Sequence, residues 1–261
     1  MNVVALQLDI AWENKQANFE KARQLLTKAA VVRNSLVALP EMFATGFSMN
    51  TQAIAEPYGG ETEQFLSGLA RQFEIFLVAG AAMRGHDGHA RNKALVFSPA
   101  GDLLGFYAKM RPFSPGGESD HYTAGEKPVV LNCHDCAFSP FVCYDLRFPE
   151  LFRQAAAARR PELFVVIANW PEKRLQHWVR LLQARAIENQ AYVLGVNRVG
   201  RDPYYQYTGR SLVVDFNGEI IADAGNGEGW AQAPLDIPVL RKYREGLPFL
   251  DDMRPLNPVV P

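Results

Sequence analysis

Apolar residues fall along this chain in two alternating patterns. Residues 3–8, 36–39, 75–79, 138–142, 163–168 and 191–196 are runs of four to six mostly apolar residues, the length of strands buried in a core. Between them the period changes. Phe19, Ala22, Leu26 and Ala29 recur at helical spacing, as do Leu175, Trp178, Leu182 and Ala186, so each segment predicts a helix laying one face on a sheet. Strands and helices in alternation predict an α/β chain built in layers.

Two turns hint at symmetry. Gly101-Asp102-Leu103-Leu104 follows Ser98-Pro99-Ala100, and Gly218-Glu219-Ile220-Ile221 follows Phe216-Asn217. Both read Gly, acid, aliphatic, aliphatic, and Asn217-Gly218 is a strong short-hairpin signal. The two glycines stand 117 residues apart, near half the chain, which suits two similar sheets packed face to face with helices outside. Turn chemistry alone also restricts the residues available, and explains the likeness equally well.

Composition narrows the class. With 261 residues, 48% hydrophobic content and no Ser/Gly linker, the chain has material for a large core in a single domain over 1–261. Its formal net charge of -1 comes from 27 basic and 28 acidic residues without a basic block. It therefore carries no electrostatic footprint for nucleic acid or an anionic membrane, and a small molecule is the expected partner. The first residues lack a basic leader with an apolar run, and no stretch approaches the roughly 18 apolar residues that span a bilayer, so a cytoplasmic location is expected. Three cysteines, an odd number, argue against a disulfide scaffold. Prolines 248, 255, 258 and 261 predict an extended C-terminal tail from about residue 247, expected to pack along a partner subunit.

Three segments supply candidate chemistry. Cys143 ends an apolar run and precedes a helix opening at Pro149-Glu150; a nucleophile on such a strand-to-helix turn is exposed beside backbone N–H groups. Taken alone, a cysteine after apolar residues is more often a small core residue. Lys109 closes the strand after Gly101 and, alone, reads as a solvated edge charge. Glu41 leaves a buried strand at its C-terminal end, where α/β sheets place their sites, although a lone Glu there more often caps or pairs. Together, a thiol, a carboxylate and an ammonium are what a cysteine nucleophile needs to attack an unreactive carbonyl.

The flanking residues change the odds. Leu39-Pro40-Glu41, Lys109-Met110-Arg111 and above all Val142-Cys143-Tyr144-Asp145-Leu146-Arg147-Phe148-Pro149-Glu150 resemble the nitrilase superfamily of carbon–nitrogen hydrolases. Further matches run through Ala184-Arg185-Ala186-Ile187-Glu188-Asn189, Asn197-Arg198 and Gly209-Arg210-Ser211, so the resemblance covers nearly the whole chain. Glu118-Ser119-Asp120-His121-Tyr122-Thr123-Ala124-Gly125, Ala168-Asn169-Trp170-Pro171 and His177-Trp178 resemble the bacterial ω-amidase branch. Arg210 departs from the pattern, relatives often having Asp or His there.

The resemblance implies a four-layer αββα sandwich of two mixed β-sheets with outer helices, pairing into homodimers or higher homo-oligomers. It implies a catalytic Glu41, Lys109 and Cys143 that cleave a linear amide through a thioester, with Glu118 supporting and Tyr144, Asn169 and Trp170 lining the pocket. The implied substrates are short 2-oxo acid monoamides such as 2-oxoglutaramate and 2-oxosuccinamate; deaminated glutathione and N-carbamoyl amines are the alternatives. No metal or organic cofactor is required. Burial is expected to raise the Glu41 pKa while Lys109 favours the Cys143 thiolate, both narrowing the gap across which the proton must move. For the substrate's free carboxylate, Arg147, Arg174, Arg210 and His121 are the candidate donors. Arg185 and Glu188, three apart, are expected to form a structural ion pair. A reading of a different class rests on Cys133-His134-Asp135-Cys136, whose C-x-x-C spacing fits a redox pair or half a zinc site; the signal is weak, because no second C-x-x-C completes it and an ordinary hairpin between strands accounts for it better.

Overall fold

A computed structural model of the chain describes residues 1–254. The first half runs β1 (Asn2–Gln7), α1 (Lys15–Ala29), β2 (Leu36–Ala38), α2 (Thr51–Ile54), α3 (Glu61–Phe73), β3 (Phe76–Arg84), β4 (Ala90–Phe97) and β5 (Leu103–Ala108). The second runs β6 (Leu131–Cys133), β7 (Cys136–Val142), α4 (Pro149–Arg159), β8 (Leu163–Ile167), α5 (Leu175–Asn189), β9 (Tyr192–Val196), a small hairpin of β10 (Val199–Arg201) and β11 (Gln206–Thr208), then β12 (Leu212–Val214) and β13 (Ile220–Asp223). The chain then returns to the first sheet through β14 (Gly229–Pro234) and continues into α6 (Ile237–Gly246).

Two six-stranded sheets result, with orders β14-β1-β2-β3-β4-β5 and β13-β12-β9-β8-β7-β6. In each, three neighbouring strands are parallel and the outer pairs are antiparallel. The alternation of side chains explains the layering. Val3, Ala5, Leu36, Ala38 and Val78 point between the sheets and pack with residues of the second sheet. Val4, Leu6, Val37, Leu77 and Ala79 point outward beneath α1 and α3, against Phe19, Leu26, Leu66 and Ala70. Strands covered on both faces read as continuous apolar runs, as these do. The architecture is the expected αββα sandwich of mixed sheets.

The hairpin likeness is topological as well as chemical. The β4–β5 ladder slips between Val96 and Phe97, and the β12–β13 ladder slips between Val213 and Val214, again 117 positions on. Gly101 and Gly218 take nearly the same left-handed φ, +86° and +87°, which a side chain would resist. The two sheets thus repeat one plan.

The segment from residue 247 differs from the expected extended tail. Phe249–Asp252 form a 3-10 turn with Leu250 buried, the Leu247 carbonyl accepts from Gln190 Nε2 at 2.8 Å, and Arg160 pairs with Asp251 at 2.6 Å. Three local polar and apolar anchors hold this stretch to its own subunit. The remainder of the expected tail lies outside the described residues. Arg185 and Glu188 pair at 2.9 Å as expected, and Arg185 Nη2 also donates to the Leu146 carbonyl at 2.7 Å, tying α5 to the turn that follows β7.

Candidate active site

The site forms where the central strands of the two sheets end side by side. Beyond β2 the chain stays bonded to β3: Leu39 N donates to Val78 O, Gly80 N to Pro40 O and Phe43 N to Gly80 O. Gly80 is needed here for space. A Cβ on it would stand 2.4 Å from the Glu41 Cα and 2.4 Å from the Met42 nitrogen, closer than backbone atoms permit. The Glu41 backbone therefore lies directly on β3, with Met42 at a left-handed φ of +44°, and its side chain is buried.

From the second sheet, Cys143 is the first residue after β7. It adopts φ +47° at the head of a 3-10 turn, Cys143–Arg147, a conformation that costs a non-glycine residue about 1–2 kcal/mol. Asp145, buried within that turn, holds it. Its carboxylate accepts from Val142 N at 3.1 Å, Arg111 N at 2.9 Å and Tyr107 Oη at 2.8 Å. One side chain thus ties the Cys143 turn to the segment carrying Lys109, and burial pushes its own carboxyl up to about 7 against these donors.

Four polar side chains from the first half then meet in a dry cluster. Lys109 Nζ donates to Glu41 Oε1 at 2.9 Å and to Glu118 Oε2 at 2.7 Å. Asn92 Nδ2 donates to the remaining Glu118 oxygen at 2.8 Å and to Glu41 Oε1 at 2.7 Å. Each of the four is at most 2% exposed, so one ammonium answers two carboxylates where water does not compete. Asn169, at the end of β8, donates its backbone N–H to Glu41 Oε2 at 2.9 Å and its side-chain amide to the Glu41 carbonyl at 2.7 Å.

The electrostatics differ from the sequence expectation. Burial alone would raise the Glu41 pKa, but the Lys109 charge and the hydrogen bonds from Lys109, Asn169 and Asn92 outweigh it and hold the carboxyl below its ordinary value. Burial pushes the Cys143 thiol well up, and the nearby Glu41 charge adds to that push more than Lys109 opposes it. Lys109 is itself raised, burial being overcome by Glu118 and Glu41. The ammonium serves the carboxylates first, so the resting site is a neutral thiol beside an ionised carboxylate, and the gap between them is widened. The environments of the other two cysteines separate them from this role: Cys133 and Cys136 face the core across the β6–β7 hairpin, and burial raises both to about 12.

A cavity opens over the thiol. Glu41, Cys143, Asn169 and Trp170 line it, whereas Lys109 and Glu118 stand behind its wall. Tyr144 lines it too, set edge-on to Phe113 at 5.0 Å. The Cys143 sulfur lies 3.9 Å from the Asn169 carbonyl oxygen. Of the four candidate carboxylate donors, Arg147 and Arg174 reach the cavity. Arg210 instead pairs with Asp223 at 2.7 Å, and His121 is exposed outside it. Arg147 lies over the Trp170 ring at 4.8 Å and Arg174 over Phe113 at 5.5 Å. Neither guanidinium has a carboxylate partner among the described residues, and burial with the Arg174 charge lowers the Arg147 pKa.

Trp170 both packs and lines: it is 2% exposed, with its indole N–H donating to the Arg174 carbonyl at 2.8 Å. Asn197 grips its backbone, accepting from Trp170 N at 2.8 Å and donating to Trp170 O at 3.1 Å. Sequence reasoning had singled out neither Asn92 nor Asp145 as a site residue. The signal for Asn92 is an amide at an inward β4 position, in step with Ala90, Ala94 and Val96; that for Asp145 is an acid two residues after the cysteine. Among the described residues no group of three His, Cys, Asp or Glu side chains is arranged to hold a metal, and no helix is long and apolar enough to cross a membrane.

A thiol on a strained turn beside a buried carboxylate and ammonium, on a repeated α/β sandwich, defines a hydrolase of carbon–nitrogen bonds. The family model for carbon-nitrogen hydrolases matches residues 2–245, and the chain belongs to that family. It is 38% identical to the omega-amidase YafV of Yersinia enterocolitica, over 97% of this chain and 96% of that protein. It is 31% identical to the 2-oxoglutaramate amidase of Bacillus subtilis strain 168, over 97% of both. Among solved structures, XC1258 of Xanthomonas campestris, a CN-hydrolase superfamily protein with an arsenic adduct in its active site, superposes with a TM-score of 0.91 at 30% identity, covering 98% of each chain.

Proposed function

We propose that the protein hydrolyses the terminal amide of short monoamides that carry a free carboxylate, 2-oxoglutaramate and 2-oxosuccinamate foremost, to the dicarboxylate and ammonia. The observation that carries this is one cavity holding the Cys143 thiol and Glu41 carboxylate at its base and two guanidiniums, Arg147 and Arg174, without carboxylate partners. An amide at the thiol leaves the substrate's other end to a cationic wall, where charge-assisted hydrogen bonds are strong. The names of the relatives, an omega-amidase and a 2-oxoglutaramate amidase, point to the same substrates.

The shifted acidities set the order of events. Because the resting thiol is neutral and Glu41 ionised, the proton passes to Glu41 as sulfur bonds to the amide carbon, so no free thiolate accumulates. The Tyr144 N–H and the field of Lys109 stabilise the tetrahedral oxyanion. Glu41 returns the proton to the departing nitrogen and ammonia leaves, giving a Cys143 thioester. Glu41 then takes a proton from water, hydroxide adds to the thioester, and the proton returns to sulfur as the acid is released. Lys109, Glu118 and Asn92 keep the carboxylate in place through both half-reactions, and Asn169 orients it from the other sheet.

Ammonia release from 2-oxoglutaramate, 2-oxosuccinamate, glutamine, deaminated glutathione and an N-carbamoyl amine, with Cys143→Ser as control, tests the reading. The two 2-oxo acid monoamides are expected to be turned over fastest; release from the carbamoyl amine alone would overturn it. The reading extends to a cytoplasmic homodimer, supported by family kinship and three unbridged thiols, and sedimentation of purified protein at the monomer mass would count against the dimer.

A further inference from the structure

The space beside the thiol and the space next to it differ sharply. The catalytic cavity is tight, whereas a neighbouring groove is far roomier. The groove is lined by Trp12, Glu13, Ser48, Met49, Asn50 and Tyr204. Two side chains belong to both walls, Phe47 and Tyr205. They arrive from opposite halves of the molecule: Phe47 from the loop after Glu41, Tyr205 from the connection between β10 and β11.

Both residues are held from behind. The Phe47 ring lies 5.2 Å from the Lys109 ammonium, and a Cβ on Gly116 would come to 3.7 Å from it. Tyr205 sits on a loop fastened by Asp202, whose Oδ1 accepts from Tyr204 N at 2.7 Å and Tyr205 N at 2.8 Å while Oδ2 accepts from Tyr207 Oη at 2.6 Å. The Arg174 guanidinium lies 5.9 Å from the Tyr205 ring, so the carboxylate-binding arginine leans on the same partition. A substrate chain that extends from Cys143 toward this wall meets two rings.

We propose that Phe47 and Tyr205 are specificity-determining residues that limit the length of the acyl chain, and that the groove behind them, aromatic along Trp12 and Tyr204 and polar at Glu13, Ser48 and Asn50, is space into which a longer substrate extends once either ring is removed. The proposal rests on the reading that Cys143 acts in this cavity on an amide. The groove itself is flanked by Trp12 and Tyr204, whose rings meet edge-on at 6.0 Å, a surface suited to an alkyl or aryl tail.

Two measurements on wild type, Phe47→Ala and Tyr205→Ala test it. The first compares kcat/KM across straight-chain dicarboxylic monoamides of increasing length, with neutral alkyl amides alongside. The second follows alkylation of Cys143 by N-alkyl iodoacetamides of increasing tail length by peptide mass, which needs no amide turnover. In wild type both profiles fall with length; in each variant the ratio of long to short is expected to rise roughly tenfold or more, the discrimination a few methylenes give in an apolar pocket. Adding Trp12→Ala to Phe47→Ala is expected to reverse part of the gain. Unchanged length profiles in the alkylation of both variants would overturn the proposal. A changed alkylation profile in a protein that releases no ammonia would instead leave the wall intact and sink the amidase reading. Because the two variants lie on separate loops, misfolding of one leaves the other as the test.

Discussion

The two halves of the molecule repeat one strand plan but contribute unlike chemistry. The first sheet and its loops deliver Glu41, Lys109, Glu118 and Asn92, all sealed from solvent and bonded to one another. The second delivers Cys143, Tyr144, Arg147, Asn169, Trp170 and Arg174, which face the cavity. On the proposed reading, charge that stays fixed is kept where water cannot screen it, with Glu41 alone of the four lining the cavity, while the groups that would meet substrate stand at the opening. On that reading the shared scaffold separates the groups that hold a proton acceptor from those that hold a substrate, and two residues of the second half join them: Asn169 bonds to Glu41 through its backbone N–H and side-chain amide, and Asp145 ties the Cys143 turn to the Lys109 segment.

Removing the reacting atom on either side should have the largest effect. Cys143→Ser and Glu41→Gln are each expected to lower kcat by roughly 10³-fold or more, and the double variant by little beyond either alone, because residues acting as a unit are not additive. Full additivity in steady-state kinetics would mean that the two halves act independently. Next comes the contact that seats the first half. Gly80→Ala forces the Glu41 backbone away from β3, and a shift of about 1 Å at a catalytic group costs on the order of 10²-fold; Gly68→Ala on α3, where a Cβ meets nothing within 4 Å, is the control expected to keep wild-type activity.

The second half is probed more gently. Arg147→Ala and Arg174→Ala are expected to raise KM for carboxylate-bearing amides about 10-fold to 100-fold, the worth of a charge-assisted hydrogen bond. Neutral amides should be nearly unaffected, and equal losses on both substrate kinds would show that these arginines only shape the wall. The smallest effect concerns Asp145, the tie between the Cys143 and Lys109 segments. Its folded carboxyl titrates at about 7 against an ordinary 3.8, so the fold binds its proton more tightly than the unfolded chain does. Its favourable contribution is fully present below the unfolded value and is lost as pH rises through the folded one. Urea midpoints at pH 5 and pH 7.5 should fall more in wild type than in Asp145→Asn; parallel slopes would place the titration elsewhere.

Much of this was legible along the chain. Glu41, Lys109 and Cys143 could be named because each closes or follows an apolar run and its flanking block resembles a known family, whereas Glu118 was named through that resemblance alone. The hairpin glycines hinted at the repeated sheets, but a left-handed φ admits few residues, so the sequence left turn chemistry as an equal explanation until the matching ladder slips were seen. Asn92 escaped notice because Arg91 and Lys93 flank it, so the stretch reads as a polar edge, although its side chain is inward. Phe47 and Tyr205 were unremarkable aromatic residues in loops. The directions of the Glu41 and Cys143 shifts were misjudged for a related reason: sequence shows which charges are present, but not which of them an ammonium will touch.

Local order and the inventory of chemical groups were thus determined by the sequence itself, since strand and helix periods, turn glycines and the strained cysteine turn depend on neighbours a few residues away. Three things were decided only by the tertiary structure: which carboxylates share Lys109, which arginines reach the cavity, and which rings close it. Each depends on distances between segments far apart in the chain, and both desolvation and Coulomb energy vary steeply with such distances inside a dry core.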